Sequence, residues 1–141
     1  MKKNLNQLGG LHFPYEKSCI IADIPGLIEG ASEGVGLGHA FLRHIERTKI
    51  LLHVVDASHE NTVPDYKTIN SELERYKEEL LQRTQLVVLN KADITDARRL
   101  SSLKKYFRSQ GLRVLEISAL KETNIVQLKE IIGELLHRDA R

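Results

Sequence analysis

Short apolar runs alternate with longer amphipathic segments along most of this chain. Residues 18–22, 50–56, 86–89 and 114–117 have the continuous apolar character of strands that are buried on both faces. Apolar residues recur at helical spacing in the segments 39–47, 65–83 and 125–136. Thr95 and Asp96 can cap a further helix that runs to about Gln110, and Asn124 can cap the last helix. Because strands and helices alternate from Ile50 to Leu136, the pattern predicts an α/β fold with a doubly wound, mostly parallel sheet.

The N-terminal part has a different pattern. Residues 1–9 are polar and are predicted to be loose. The stretch Gly10–Phe13 is typical of a short strand, which the turn 14–17 joins to Ser18–Ala22 as a hairpin. Four glycines fall within residues 28–38, which predicts a mobile loop rather than regular structure.

Distinct polar signatures follow three of the predicted strands. Asp23 and Gly26 form Asp-x-x-Gly after the strand 18–22. An aspartate at that end of a buried strand points into the crevice where open α/β sheets bind ligands, and it can hold the water shell of Mg²⁺. The strand 86–89 is followed by Asn-Lys-x-Asp, and the strand 114–117 by Ser-Ala-Leu. Each signature is common alone, but the series is typical of a nucleotide site.

With these motifs, the stretch DIPGLIEGASEGVGLGHAFLRHIER at residues 23–47 resembles the Obg family of ribosome-associated GTPases. The resemblance runs from about Leu8 to about Leu136. It implies that residues 1–141 are part of an Obg-type G domain, without the glycine-rich Obg domain, in which the first two strands are an antiparallel edge pair. It also implies GTP or GDP and Mg²⁺ as ligands, a role in assembly of the large ribosomal subunit, and a cytoplasmic location.

The resemblance also implies which residues form the site. Mg²⁺ is expected to be held by Asp23 through water. The Asp93 carboxylate is expected to accept the two donors on the guanine edge, which adenine lacks. Asn90 would brace the loop, Lys91 would lie along the base, and the Ala119 N–H would meet the guanine oxygen. The full set of expected GTP-binding residues is Asp23, Ile24, Pro25, Gly26, Asn90, Lys91, Ala92, Asp93, Ser118, Ala119 and Leu120.

One expected motif does not occur. The sequence contains no G-x-x-x-x-G-K-[ST], and Leu27 stands where Ras-like GTPases have a catalytic glutamine. The 141 residues are therefore expected to be a fragment that lacks the first strand and the phosphate-binding loop, with GTP hydrolysis near background. The missing strand should leave a gap between 18–22 and 50–56, and exposed apolar edges should make the isolated chain unstable. Two alternatives stay open: a G-domain-like binding module without catalysis, and a structural relic without a ligand.

Composition narrows the function further. The net charge of +2 is too small to indicate nucleic acid by itself, so no direct DNA binding is expected. The single cysteine excludes an internal disulfide framework, and no apolar run is long enough to span a membrane. The predicted helix 96–110 is rich in Lys and Arg. A solvated face is its simplest interpretation, and a contact with RNA is the sharper alternative.

Overall fold

The structure, a computed structural model, describes residues 8–12, 18–22, 49–76 and 82–138 of the chain. The elements in chain order are β1 (Leu8–His12), β2 (Ser18–Ala22), β3 (Ile50–Asp56), α1 (Thr62–Tyr76), β4 (Thr84–Asn90), a 3₁₀ turn (Ala92–Ile94), α2 (Ala97–Ser109), β5 (Arg113–Glu116) and α3 (Ile125–Arg138). None of the described helices is long and apolar enough to cross a membrane.

The described strands form two sheets. β1 and β2 pair antiparallel, as the predicted hairpin requires. β1 begins at Leu8, two residues before the predicted start, so Leu8 and Gly9 belong to a strand rather than to a loose terminus. β3, β4 and β5 form a parallel sheet in that order. Among the described strands β2 does not pair with β3, in agreement with the expectation that these two apolar strands do not close against each other.

Helices cover both faces of the parallel sheet at its central strand, β4. Side chains alternate between the faces of a strand, so neighbouring residues of β4 enter different clusters. Val87 and Leu89 pack in a cluster with residues of α1 and α2, namely Tyr66, Leu100, Leu103 and Phe107. Leu86 and Val88 pack with Ile132 and Leu135 of α3. The predicted doubly wound α/β arrangement is therefore confirmed.

Local chemistry explains where the helices begin and end. α1 starts at Thr62, three residues before the predicted Asp65, and the Thr62 hydroxyl lies 2.8 Å from the carbonyl oxygens of Asp56 and His59. Asp96 caps α2 as predicted, because its Oδ1 accepts the Arg98 N–H at 3.3 Å. Gly111, with φ of +76°, follows the end of this helix, a conformation that glycine adopts without steric cost.

Several predicted features lie outside the described residues. They are the site residues Asp23–Gly26 with Leu27, the glycine-rich loop 28–38, the helix 39–47, and positions 77–81 of the helix predicted to reach Arg83. These stay predictions.

A buried histidine lies on the face of β3 that α1 covers. The His53 ring packs against the Tyr66 ring with centroids 4.7 Å apart, and Tyr66 in turn meets Phe107 edge to face. Within the described structure, His53 Nε2 is buried without a hydrogen-bond partner. Burial disfavours the charged imidazolium and lowers the pKa of His53 from 6.5 to about 4.

We expect His53 to make folding stability depend on pH. Between pH 6.5 and 4 the unfolded chain binds a proton at this position and the folded chain does not, so stability falls as the pH falls through that window. The full loss is about 3 kcal/mol, since one pKa unit corresponds to about 1.4 kcal/mol. Urea unfolding at pH 7 and pH 4.5 measures it. His53→Leu should flatten the dependence, while His137→Leu, at an exposed position of α3, should not. An equal slope in the wild type and His53→Leu would contradict the assignment.

Candidate functional site

The carboxyl ends of the three parallel strands lie side by side. The register places Asp56 opposite Asn90, and Leu89 opposite Glu116. The residues that follow β3, β4 and β5 therefore emerge along one edge of the sheet, where ligands of open α/β folds bind.

Backbone hydrogen bonds continue beyond the strands and tie these loops together. The Ile117 N–H donates to Leu89 O at 2.8 Å, and the Ala92 N–H donates to Ile117 O at 3.0 Å. On the other side of β4, the Ala57 N–H donates to Asn90 O at 3.0 Å. The segment that carries Asn-Lys-x-Asp is thus fixed to both neighbouring loops.

Asn90 joins the Asn-Lys-x-Asp segment to the Ser-Ala-Leu segment. Its side-chain Oδ1 accepts the Ala119 N–H at 3.0 Å, which is the bracing expected of this residue. Ser118 is buried, and its Oγ accepts the Lys121 N–H at 3.1 Å. The Ser118 backbone also pairs in both directions with Thr123. The turn after β5 is therefore held by the hydrogen bonds of Ser118 and of the Asn90 side chain.

Lys91 is held by an ion pair with Asp56, the last residue of β3. Its backbone adopts φ of 63°, in the left-handed region, and its Nζ lies 2.9 Å from Asp56 Oδ2. Asp56 Oδ1 accepts hydrogen bonds from Ser58 N–H at 2.9 Å and Ser58 Oγ at 2.6 Å. The Lys91 ammonium and the Ser58 hydroxyl hold the pKa of Asp56 at about 2. The direction of the Lys91 side chain is thus set by a carboxylate outside the three motifs.

Asp93 ends the Asn-Lys-x-Asp segment. It lies in the 3₁₀ turn and is exposed. Within the described structure its carboxylate has no hydrogen bond or ion pair with another residue. The adjacent Ile94 and, beyond Ala119, Leu120 are also exposed, Leu120 to 85%. A free acceptor and exposed apolar side chains therefore occur on the two loops that Asn90 joins.

Two contacts near the site were missed by sequence reasoning. Arg99 counted as part of a basic solvated face, yet its Nε donates to Ala57 O at 2.9 Å and its guanidinium also reaches His59 O and Thr62 Oγ1. It holds the turn after β3 against α2. Asn124, with φ of 61°, precedes α3 as predicted, and its Nδ2 donates to Glu116 O at 2.9 Å. Both contacts span separate elements, and no local sequence signal marks them.

The residues that are expected to bind Mg²⁺ and phosphate follow β2 in the sequence. Asp23, Ile24, Pro25 and Gly26 lie outside the described residues. Among the residues that are described, no group of three or more His, Cys, Asp or Glu side chains could hold a metal ion. The magnesium site therefore stays a prediction.

Comparison with known sequences identifies the family. Residues 5–91 match the family model described as 50S ribosome-binding GTPase. The chain belongs to this family. Curated relatives are Obg GTPases: the protein of Desulfotalea psychrophila is 52% identical over 133 residues, and that of Aquifex aeolicus is 49% identical over 127 residues. The alignments cover 92% and 87% of this chain but only 36% and 37% of those relatives. The sequence is thus that of an Obg-type G domain, and it spans little more than a third of the relatives' length.

Solved structures support the same fold. Translation elongation factor SelB from Methanococcus maripaludis, in its apo form, matches 92% of the chain with a TM-score of 0.64 at 17% identity. The match covers 28% of that protein. At this identity the likeness concerns the fold alone, and it agrees with the α/β arrangement described above.

The hydrogen bond from the Ala119 N–H to Asn90 Oδ1 leads to a testable prediction. Asn90→Ala removes the acceptor, so the Ala119 amide should exchange with solvent faster and the chain should lose about 1 kcal/mol of stability. Hydrogen exchange followed by NMR measures the first effect, and urea unfolding the second. Asp93→Asn is the matched control, because it alters a neighbouring side chain that has no partner in the described structure. Unchanged protection of Ala119 in Asn90→Ala would contradict the bracing role.

Proposed function

We propose that this chain is the guanine-binding part of an Obg-type GTPase that acts with the large ribosomal subunit in the cytoplasm. The observation that carries the proposal is the joining of two loops by Asn90, beside an Asp93 carboxylate with no partner in the described structure. Membership in a family described as 50S ribosome-binding GTPase supports the choice of nucleotide and of partner.

Guanine suits the groups that these loops offer. Its edge presents a ring N–H and an exocyclic amine, and the Asp93 carboxylate accepts both at once. Adenine has an acceptor at that ring position and would leave the carboxylate poorly paired, which strongly disfavours binding. The guanine oxygen requires a donor, for which we propose the Ala119 N–H. Asn90 Oδ1 holds that donor at 3.0 Å, so guanine must share it or displace the side chain.

The phosphates and Mg²⁺ are proposed to lie toward Asp23 and Gly26. The Asp23 carboxylate would hold the metal through water, and Gly26 would bring its N–H close to a phosphate oxygen because no Cβ intervenes. When bound, the metal supplies charge neutralisation of the phosphates. This part of the proposal rests on the sequence pattern, with Ile24 and Pro25 as the intervening backbone.

Base preference is the first test of the proposed function. In competition against a fluorescent GDP analogue, GTP should bind at least about a hundredfold more tightly than ATP, because Asp93 pairs with donors that only guanine has. Asp93→Asn should shift the preference toward xanthosine triphosphate, whose edge carries an acceptor. Asp96→Asn alters the cap of α2 instead and should leave the preference unchanged. Equal competition by ATP and GTP would refute guanine recognition.

Turnover is the second test. The 141-residue chain should release phosphate from GTP at or near the rate measured in buffer without protein. The reason is that its sequence has no G-x-x-x-x-G-K-[ST] and has Leu27 in place of a water-orienting glutamine. A phosphate-release assay with and without Mg²⁺ measures this. Magnesium-dependent release that Asp23→Ala abolishes would show the expectation to be wrong. Guanine binding without release is expected both of the proposed function and of the alternative, a binding module without catalysis.

A further inference from the structure

Helix α2 is strongly basic. Its 13 residues, ARRLSSLKKYFRS, include five Lys or Arg and no Asp or Glu. Two of these cations have structural partners: Arg99 donates to the turn after β3, and Lys104 pairs with Glu116 at 2.5 Å. The other three, Arg98, Lys105 and Arg108, are exposed, and their side chains have no hydrogen bond or ion pair in the part of the chain that the structure describes.

These three cations lie on one face of the helix. Lys105 follows Arg98 by seven positions and Arg108 follows Lys105 by three, so all three point away from the side that carries Leu100, Leu103 and Phe107. Ser101 and Ser102 are exposed between them. The α2 basic face, defined as Arg98, Ser101, Ser102, Lys105 and Arg108, extends about 15 Å along the helix axis.

Helix stability does not explain this face. Without acidic residues, α2 gains no ion pairs between residues three or four positions apart, and its cations repel one another. Arg98 stands in the first turn, where the helix dipole disfavours positive charge. The capping carboxylate of Asp96 accepts the Arg98 backbone N–H, which leaves the guanidinium exposed. By contrast, Lys91 and Arg113 on nearby elements pair with Asp56 and Glu134.

We propose that the α2 basic face binds the phosphate backbone of a structured RNA. Cations spaced along about 15 Å can reach successive phosphates, and the two serine hydroxyls between them can hydrogen-bond to phosphate oxygens or ribose 2′-hydroxyls. The inference that this face contacts the ribosomal partner rests on the proposed function. RNA binding itself is measured without nucleotide, so the proposal of RNA binding and the proposal of guanine binding can fail separately.

A membrane surface is the weaker match for this face. Helices that lie on membranes insert an apolar side between the headgroups, but the apolar residues of α2 are buried in the core beside β4. The exposed side offers only cations and hydroxyls. Electrostatic contact with phosphates, with no apolar insertion, is how proteins position themselves on nucleic acid.

The test compares two variants of equal net charge. Arg98→Gln/Lys105→Gln/Arg108→Gln removes the cations of the α2 basic face, and glutamine preserves helix propensity. The control Lys49→Gln/Lys121→Gln/Lys129→Gln removes three cations from other elements. Binding of a labelled RNA hairpin, of a DNA hairpin with the same sequence, and of anionic phospholipid vesicles is measured by fluorescence anisotropy or co-sedimentation from 50 to 200 mM KCl. Circular dichroism checks that both variants fold.

We expect the α2 variant to lose at least about tenfold in RNA affinity at 100 mM KCl. The slope of log K against log salt should become shallower by about two to three, near one unit for each lost phosphate contact. The control should change affinity by less than about threefold. Equal losses in both variants, or no RNA binding by the wild type, would overturn the proposal. So would equal affinity for the DNA hairpin, or binding to vesicles alone. If the triple variant loses its fold, the single variant Lys105→Gln decides: weaker RNA binding with an intact fold supports the proposal, and unchanged RNA binding overturns it.

Discussion

The complete burial of four consecutive residues of β4 is the constraint on which the rest of the parallel sheet depends. Four consecutive residues, Leu86–Leu89, have no exposed surface, so both faces of this strand must be covered. α1 and α2 cover one face and α3 the other, and β3 and β5 take up the backbone hydrogen bonds on the two edges. A strand enclosed in this way is exposed to solvent only at its two ends. The polar residues that follow its carboxyl end are therefore held at the surface by an apolar centre that resists displacement.

Much of this fold could be predicted from sequence because its signals are local. The apolar run of β4, the helical spacing of α3 and the Asp96 cap each act within a few residues. The residues at which the helices and strands begin were less predictable. α1 begins three residues early, where the Thr62 hydroxyl meets the carbonyl groups of Asp56 at the end of β3 and of His59 in the following turn, and such a contact has no periodic signature. β1 begins early because the partner strand β2, through its register, determines how far the pairing extends.

The candidate site was predictable only in part. The motifs indicated which loops meet, since the carboxyl ends of parallel strands share one edge. They did not indicate how the loops are held. Asp56, the last residue of β3, belongs to none of the motifs, but it pairs with Lys91, which follows β4. Arg99 looked like a solvated cation, but it donates to backbone carbonyl groups some 40 residues away. Contacts of this kind depend on three-dimensional proximity, which neither composition nor spacing records.

The Asp56–Lys91 pair also bears on the entropy of ligand binding. A free lysine side chain samples many rotamers, and ordering it costs as much as about 2 kcal/mol. Here the ammonium is already held 2.9 Å from a carboxylate that Ser58 orients in turn. That ordering takes place during folding, so under the proposed function a base bound beside Lys91 would meet a side chain whose freedom is already restricted. Preorganisation of this kind lowers the cost of association without adding a single contact to the ligand.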